Sequence, residues 1–118
     1  MQLQPEEWVR QHVIWQLVND KKYPKSLIAV EQKIVVNGLT KRIDIVIYNK
    51  NGSIFLLVEC KAPEIKISQS TFDQIARYNL KLNALFLMVT NGLSHYYCQI
   101  DHENENYRFL ENIPDYIP

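Results

Sequence analysis

The chain has 118 residues, 47% of them hydrophobic, and thirteen basic side chains balance thirteen acidic ones at a formal net charge of zero. That length suits one domain with a real core. No apolar run reaches the roughly 18 residues of a membrane span, and the neutral balance by itself advertises no nucleic-acid partner.

The distribution of charge says slightly more. Residues 101–118 set Asp101, Glu103, Glu105, Glu111 and Asp115 against Arg108 alone, a local net charge of −4, and leave the first hundred residues at +4. A mildly basic body is compatible with a polyanionic partner, and ordinary solvated surface charge explains it equally well. Glu6 and Glu7 interrupt the first ten residues, which lack the apolar stretch of a secretory signal. A cytoplasmic setting is therefore expected, with Cys60 and Cys98 as reduced thiols rather than a disulfide framework. His12, His95 and His102 show no zinc-ligand spacing with them.

All three glycines follow asparagine: Asn37-Gly38, Asn51-Gly52 and Asn91-Gly92. Asn-Gly between apolar runs marks a tight turn, because both residues tolerate positive φ. The segments between these turns can be read in order. Residues 6–19 predict a helix: Pro5 suits its first position, Glu6 and Glu7 suit its dipole, and Val9, Val13 and Leu17 form one apolar face. Lys21, Lys22 and Pro24 end it. Residues 28–36, 42–48 and 54–61 read as strands, the last two apolar on both faces, as in a sheet covered on two sides. Pro63 stops the third. Residues 69–82 predict a second helix capped by Ser68 or Ser70. Residues 84–90 form a buried strand, and 94–100 and 107–110 are further strands or edges. Phe55, Leu57, Phe86, Leu87 and Met88 are core candidates. The order is α-β-β-β-α-β-β, without linker, repeat or low-complexity segment.

The chemistry concentrates around the second turn. With Asn51-Gly52 as a two-residue turn, Lys50 faces Ser53 and paired residue numbers sum to 103, so Asp44 stands opposite Glu59. Strand parity then places Asp44, Glu59 and Lys61 on one face. Opposed residues have Cβ atoms about 4.5–5.5 Å apart, and like charges there are destabilising. Buried carboxylates are costly unless paired or bound to metal. A divalent cation resolves the conflict: Mg²⁺ is typically held by one or two carboxylates plus waters and phosphate. The competing reading is a structural ion-pair cluster of Arg42 with Asp44 and Lys61 with Glu59. In a hairpin closed at Asn37-Gly38, pairs sum to 75 and Glu31 also lies opposite Asp44, as a support for the site or a partner of Lys33 or Lys41.

A wider set of motifs now becomes recognisable. Pro5-Glu6-Glu7-Trp8-Val9-Arg10-Gln11, Arg42-Ile43-Asp44-Ile45-Val46, Val58-Glu59-Cys60-Lys61-Ala62-Pro63, Gln74-Ile75-Ala76-Arg77-Tyr78 and Thr90-Asn91-Gly92 occur in this order. Together they resemble the N-terminal nuclease domain of type I restriction enzyme R subunits, within the PD-(D/E)XK superfamily, over roughly residues 5–100. The D…ExK element alone is weak. Followed by QxxxY on the next helix and Thr-Asn-Gly after the next strand, it is far more specific.

The resemblance implies a restriction-endonuclease-like α/β (α+β) core, a mixed central sheet flanked by helices, spanning the chain as one domain. It implies a metal-dependent endodeoxyribonuclease. Asp44, Glu59 and the main-chain carbonyl of Cys60 would bind Mg²⁺, with Mn²⁺ as a substitute. Lys61 would position or deprotonate the attacking water and offset charge on the transition state. Gln74 and Tyr78, one helical turn apart, would help place catalytic groups or the DNA strand. Glu6, with Glu7 as the alternative, would be the acid contributed by the first helix, although helix-start acids also simply satisfy the dipole. Implied partners are DNA and the motor or specificity subunits of a restriction-modification system, with a homodimer as another way to enlarge the surface. The chain contains no GxxxxGK[ST] phosphate loop, so ATP-driven translocation is not expected from these residues. A non-catalytic interaction module that keeps the nuclease fold is the alternative. The His95-Tyr96-Tyr97 stretch is either a base-stacking surface or an ordinary aromatic strand.

Overall fold

The structure is a computed structural model that describes residues 4–116. Helix α1 runs Pro5–Asn19, with proline in its first turn and Val9, Val13 and Leu17 on its buried face. A 3₁₀ turn, Lys25–Leu27, leads into strand β1, Ile28–Val36. Strands β2, Leu39–Tyr48, and β3, Ile54–Cys60, complete a meander. Helix α2, Gln69–Asn79, crosses over to β4, Phe86–Thr90, and β5, His95–Asp101, and β6, Asn106–Leu110, follow. The six strands pair in sequence order. Every pairing is antiparallel except β3 with β4, the pair that α2 connects. A parallel neighbour requires such a crossover, and the second apolar periodicity of the sequence supplies it.

The helices cover opposite faces. Val9, Val13 and Leu17 of α1 pack with Ile45, Ile47, Leu56, Val58, Cys60 and Met88. Phe72, Ile75 and Ala76 of α2 pack with Val46, Leu57, Leu87, Val89 and Cys98. This double cover explains why β2 and β3 are apolar on consecutive residues. Ser68 proves to be the α2 cap: its hydroxyl accepts the Thr71 N–H at 3.2 Å. The helix expected over 69–82 ends at Asn79, and a 3₁₀ turn, Leu80–Leu82, finishes it at Asn83, whose φ of 55° is left-handed.

Two Asn-Gly turns set the register of the first three strands. Asn37 and Gly38 both have positive φ, 50° and 78°, and close a two-residue hairpin whose pairs sum to 75, from Ile28↔Ile47 to Val36↔Leu39. The Asn51-Gly52 turn is not a two-residue loop. Asn49 N–H donates to the Ser53 carbonyl at 2.8 Å, so three residues form the loop, and Tyr48 pairs with Ile54. A bulge then adds Phe55 to β3, and from Ile47↔Leu56 to Ile45↔Val58 the pairs return to the expected sum of 103. The odd loop and the bulge cancel. Side-chain alternation restarts in the register that serves the site.

Candidate active site

The site forms where β2, β3 and β4 end together. Continued by one step past Ile45↔Val58, the register puts Asp44 opposite Glu59. The main chain does not stay regular there. Ile43 and Ile45 are both fully buried, yet Ile43 packs on the α2 side and Ile45 on the α1 side. Residues two apart on a regular strand share a face, so β2 rotates at Asp44. Its neighbour on β1, Glu31, has a φ of 51° and drops out of the ladder between Val30↔Ile45 and Gln32↔Ile43. The flat single face expected for Asp44, Glu59 and Lys61 is thereby corrected. Glu59 stays in step with Leu57, whereas Asp44 sits at the turn-over point and reaches across the strand gap. Its Oδ2 accepts the Cys60 N–H at 2.7 Å, in place of a main-chain carbonyl of β2.

Both carboxyls are held above their usual titration range. For Asp44 the chief cause is burial, opposed by the Cys60 N–H and by the charges of Arg10 and Lys61. For Glu59 burial again comes first, the Asp44 charge adds to it, and Lys41 and Lys61 oppose it. Lys61 follows the strand end, and its N–H donates to the Thr90 carbonyl at 2.8 Å. The Glu59 side chain is 8% exposed, and Lys41 Nζ lies 3.6 Å from Oε1. That is too long for a hydrogen bond, and Oε1 is shut off from solvent with no hydrogen-bond partner.

The ion pairs are not those expected from the sequence. Lys41, rather than Lys61, pairs with Glu59, and it also lies 4.3 Å over the Tyr78 ring. Arg10 of α1 pairs with Glu7 and, at 2.6 Å, with Glu31. Glu31 therefore goes to the first helix and not to Lys33 or Lys41. Among the described residues no cation lies within 4 Å of Asp44. Glu6 is exposed, though close enough for its charge to help raise the Cys60 thiol pKa, which burial pushes up first. Tyr78 reaches the site through Lys41. Gln74 is solvent-exposed and makes no hydrogen bond to either carboxylate. The sequence reading missed Arg10 and Lys41. Arg10, three residues after Glu7, shares its helix face, a signal that was legible. Lys41 became accessible only through the rotation at Asp44.

The Thr90-Asn91-Gly92 element acts as a brace. Asn91 is buried; its Oδ1 accepts the N–H groups of Leu93 and Ser94 at 2.9 and 2.7 Å, and its Nδ2 donates to the Ile65 carbonyl at 2.8 Å. It ties the β4–β5 turn to the loop that follows Lys61. Gly92, at φ +89°, passes so close to α1 that a Cβ there would lie 3.2 Å from Val9 Cγ2. Thr90 Oγ1 hydrogen-bonds His95 Nδ1 at 2.6 Å. Tyr96 lies against Phe72 and Tyr97 against the α1-side core, as in an ordinary aromatic strand.

Among the described residues, no three His, Cys, Asp or Glu side chains converge to hold a metal by themselves. Mg²⁺ does not require such a set, because it retains waters and takes one or two carboxylates. The orphaned Glu59 Oε1 and the Asp44 oxygen not committed to Cys60 are hard, adjacent donors of the kind it prefers. The residues present fit a Mg²⁺ ion.

The mixed sheet with one parallel pair, a crossover helix and a D…ExK pair at its strand ends is a restriction-endonuclease-like PD-(D/E)XK core. The chain belongs to the family described as type I restriction enzyme R protein N terminus, whose profile matches residues 5–114. Among solved structures, it is similar to the fragment of a "putative HsdR subunit of a type I restriction enzyme" from Vibrio vulnificus YJ016, at 20% identity and a TM-score of 0.65. That match covers 98% of this chain and 24% of the other, so the chain spans about a quarter of that protein's length. It is also similar to a "putative nuclease belonging to DUF820" from Anabaena variabilis ATCC 29413, at 12% identity and a TM-score of 0.58, over 100% of this chain and 74% of the other. At these identities the likeness shows the fold alone. No curated protein matches the chain. Among the described residues, no helix is long and apolar enough to cross a membrane.

Proposed function

We propose that the chain is a Mg²⁺-dependent endodeoxyribonuclease domain that hydrolyses phosphodiester bonds of DNA, working beside motor and specificity subunits of a type I restriction system. The observation that carries this reading is the buried Oε1 of Glu59, which has no hydrogen-bond partner and only a long ion pair with Lys41, beside the half-buried carboxylate of Asp44. A sheet built for stability alone gains nothing from that pair. Asp44, Glu59 and the Cys60 carbonyl would hold the ion. When bound, Mg²⁺ supplies a lowered pKa for its water and positive charge opposite the phosphoryl oxygens.

The chain's own residues do the rest. Asp44 is fixed by the Cys60 N–H, which sets its carboxylate at the strand gap. Lys61, anchored through its N–H to Thr90, orients the attacking water and offsets charge developing on the phosphate. Lys41 and Tyr78 hold Glu59 from the α2 side. A second reading, an interaction module without catalysis, is favoured by one feature only: Lys41 already offsets part of the Glu59 charge.

Relaxation of supercoiled plasmid DNA with Mg²⁺ or Mn²⁺ tests the proposal, comparing wild type, Lys61→Ala and an EDTA control. Metal-dependent nicking that Lys61→Ala abolishes supports it. Equal cutting by both proteins removes Lys61 from the mechanism, and inactivity of both favours the interaction module.

A further inference from the structure

The β1–β2 hairpin outruns the rest of the sheet. Strand β2 pairs with β3 no further than Ile45↔Val58, yet continues to pair with β1 as far as Val36↔Leu39. Beyond Cys60 the chain turns toward β4, where Lys61 bonds Thr90. The five pairs from Gln32↔Ile43 to Val36↔Leu39 therefore form a two-stranded ribbon that starts at the Asp44 rotation. At about 3.4 Å per residue it extends roughly 17 Å past the carboxylates.

Its two faces differ. One is propped on the α2 side, where Ile34 and Ile43 join the core and Lys41 covers Tyr78. The other is bare. It presents Lys33 directly opposite Arg42, both exposed, with no carboxylate within 4 Å of either among the described residues. Glu31, the acid nearest Arg42 in the ladder, is already bound to Arg10 at 2.6 Å. Like charges directly opposite one another weaken a strand pair. At the tip, beside Asn37-Gly38, Val35 and Leu39 are 67% and 66% exposed. A free ribbon with facing cations and an apolar tip is a poor solution for folding and a good one for a polyanion with a grooved surface.

We propose that this ribbon is a duplex-DNA docking arm. Lys33 and Arg42 engage backbone phosphates, and the Val35/Leu39 tip enters the major groove next to the scissile phosphate. The proposal rests on the nuclease reading and names how that site holds its substrate. A two-stranded β-ribbon fits a major groove about 12 Å wide. With a formal net charge of zero, the chain has no global attraction for DNA, so affinity must come from local cations such as these.

The test is fluorescence anisotropy of a labelled 30-base-pair duplex with Ca²⁺ in place of Mg²⁺, across a salt series, with the unlabelled single strand as competitor. The proteins are wild type, the Lys33→Ala/Arg42→Ala double variant, and Lys50→Ala as a control at the opposite end of the strands. The double variant should bind about tenfold or more weakly and lose about two units of the log–log salt slope, one per phosphate contact. Its melting temperature should not fall, since it removes a repulsion. Lys50→Ala should bind as wild type. Affinity and salt slope unchanged in the double variant overturn the proposal, as does a wild type that binds no duplex or prefers the single strand. Because binding is read without cleavage, a wild type that binds through the ribbon but never nicks plasmid refutes the nuclease reading and leaves the ribbon standing.

Discussion

Glu59→Gln should make the metal-free protein more stable while removing its response to Mg²⁺. The substitution keeps the shape of the side chain and deletes a charge that burial disfavours and Asp44 repels. A buried charged group short of hydrogen bonds costs more than a neutral one in the same place, so exchanging the carboxylate for an amide returns about 1–2 kcal/mol. Against that stands the Lys41 pair at 3.6 Å, and a partly exposed ion pair of this kind returns about 0–1 kcal/mol. The net gain on neutralising Glu59 is therefore about 1 kcal/mol, or about 4 °C in Tm for a chain of this size. Wild type should recover that deficit when Mg²⁺ binds: at ten times its Kd the ion adds about 1.4 kcal/mol to the folded state. Differential scanning fluorimetry at pH 7.5, with EDTA and with a Mg²⁺ series, reads both effects. A variant that melts about 4 °C below wild type and responds equally to Mg²⁺ would refute the reasoning. Glu59 would then be half of a structural ion pair with Lys41, with no part in holding a metal.

Two further outcomes follow from the same geometry. Asp44 and Glu59 both titrate higher in the folded chain than in the unfolded one, chiefly through burial. The native state thus holds protons that the unfolded state has released, and stability must fall as pH rises through the folded-state values. The contribution is complete below the unfolded carboxyl range near pH 4 and is lost as the pH climbs through the higher folded-state values. Urea unfolding with EDTA at several pH values should show it, and a flat profile in Glu59→Gln would assign the larger share to that residue. Gly92→Ala meets a left-handed φ and the Val9 side chain at 3.2 Å, which should cost about 1–2 kcal/mol. Its Tm should drop by about 4–8 °C, whereas Gly38→Ala, with open space around it, should suffer only the backbone strain.

How much of this was legible beforehand differs by level. The apolar periodicities placed both helices and the first four strands, because a sheet covered on two faces leaves long uninterrupted hydrophobic runs between its turns, whereas β5 and β6 were legible only as further strands or edges. Asn37-Gly38 gave a correct register because both residues can take positive φ at once. The β2–β3 register came out right from a wrong premise. The loop holds three residues, and the Phe55 bulge, for which no sequence signal stood out, restores the offset. Strand parity failed at the site itself. A strict two-residue alternation cannot express a strand that rotates at Asp44, so it put Lys41 on the far face and left Lys61 as the partner of Glu59, the place that Lys41 occupies. The Arg10 bridge to Glu31 was equally hidden, since it joins a helix to a strand 21 residues away.

The rotation is also what makes the carboxylate pair tolerable. On a flat ladder Asp44 and Glu59 would stand face to face with the closest side-chain spacing that a strand pair allows. Turning β2 over moves the Asp44 carboxylate into the gap where the β2–β3 ladder ends, and there it replaces a main-chain acceptor for the Cys60 N–H. One buried donor is satisfied by a side chain and one charge gains a partner. The cost is borne by Glu31, which must adopt a left-handed φ that non-glycine residues disfavour. Arg10 holds Glu31 in that conformation from the first helix. The four residues form one arrangement: α1 steadies Glu31, the Glu31 distortion permits the rotation, the rotation carries Asp44 to the strand gap, and Glu59 keeps an oxygen with no hydrogen-bond partner. If that chain of cause holds, Arg10→Ala acts on the site without touching the two carboxylates. It releases the backbone that sets the angle between them, although nothing about their chemistry has changed.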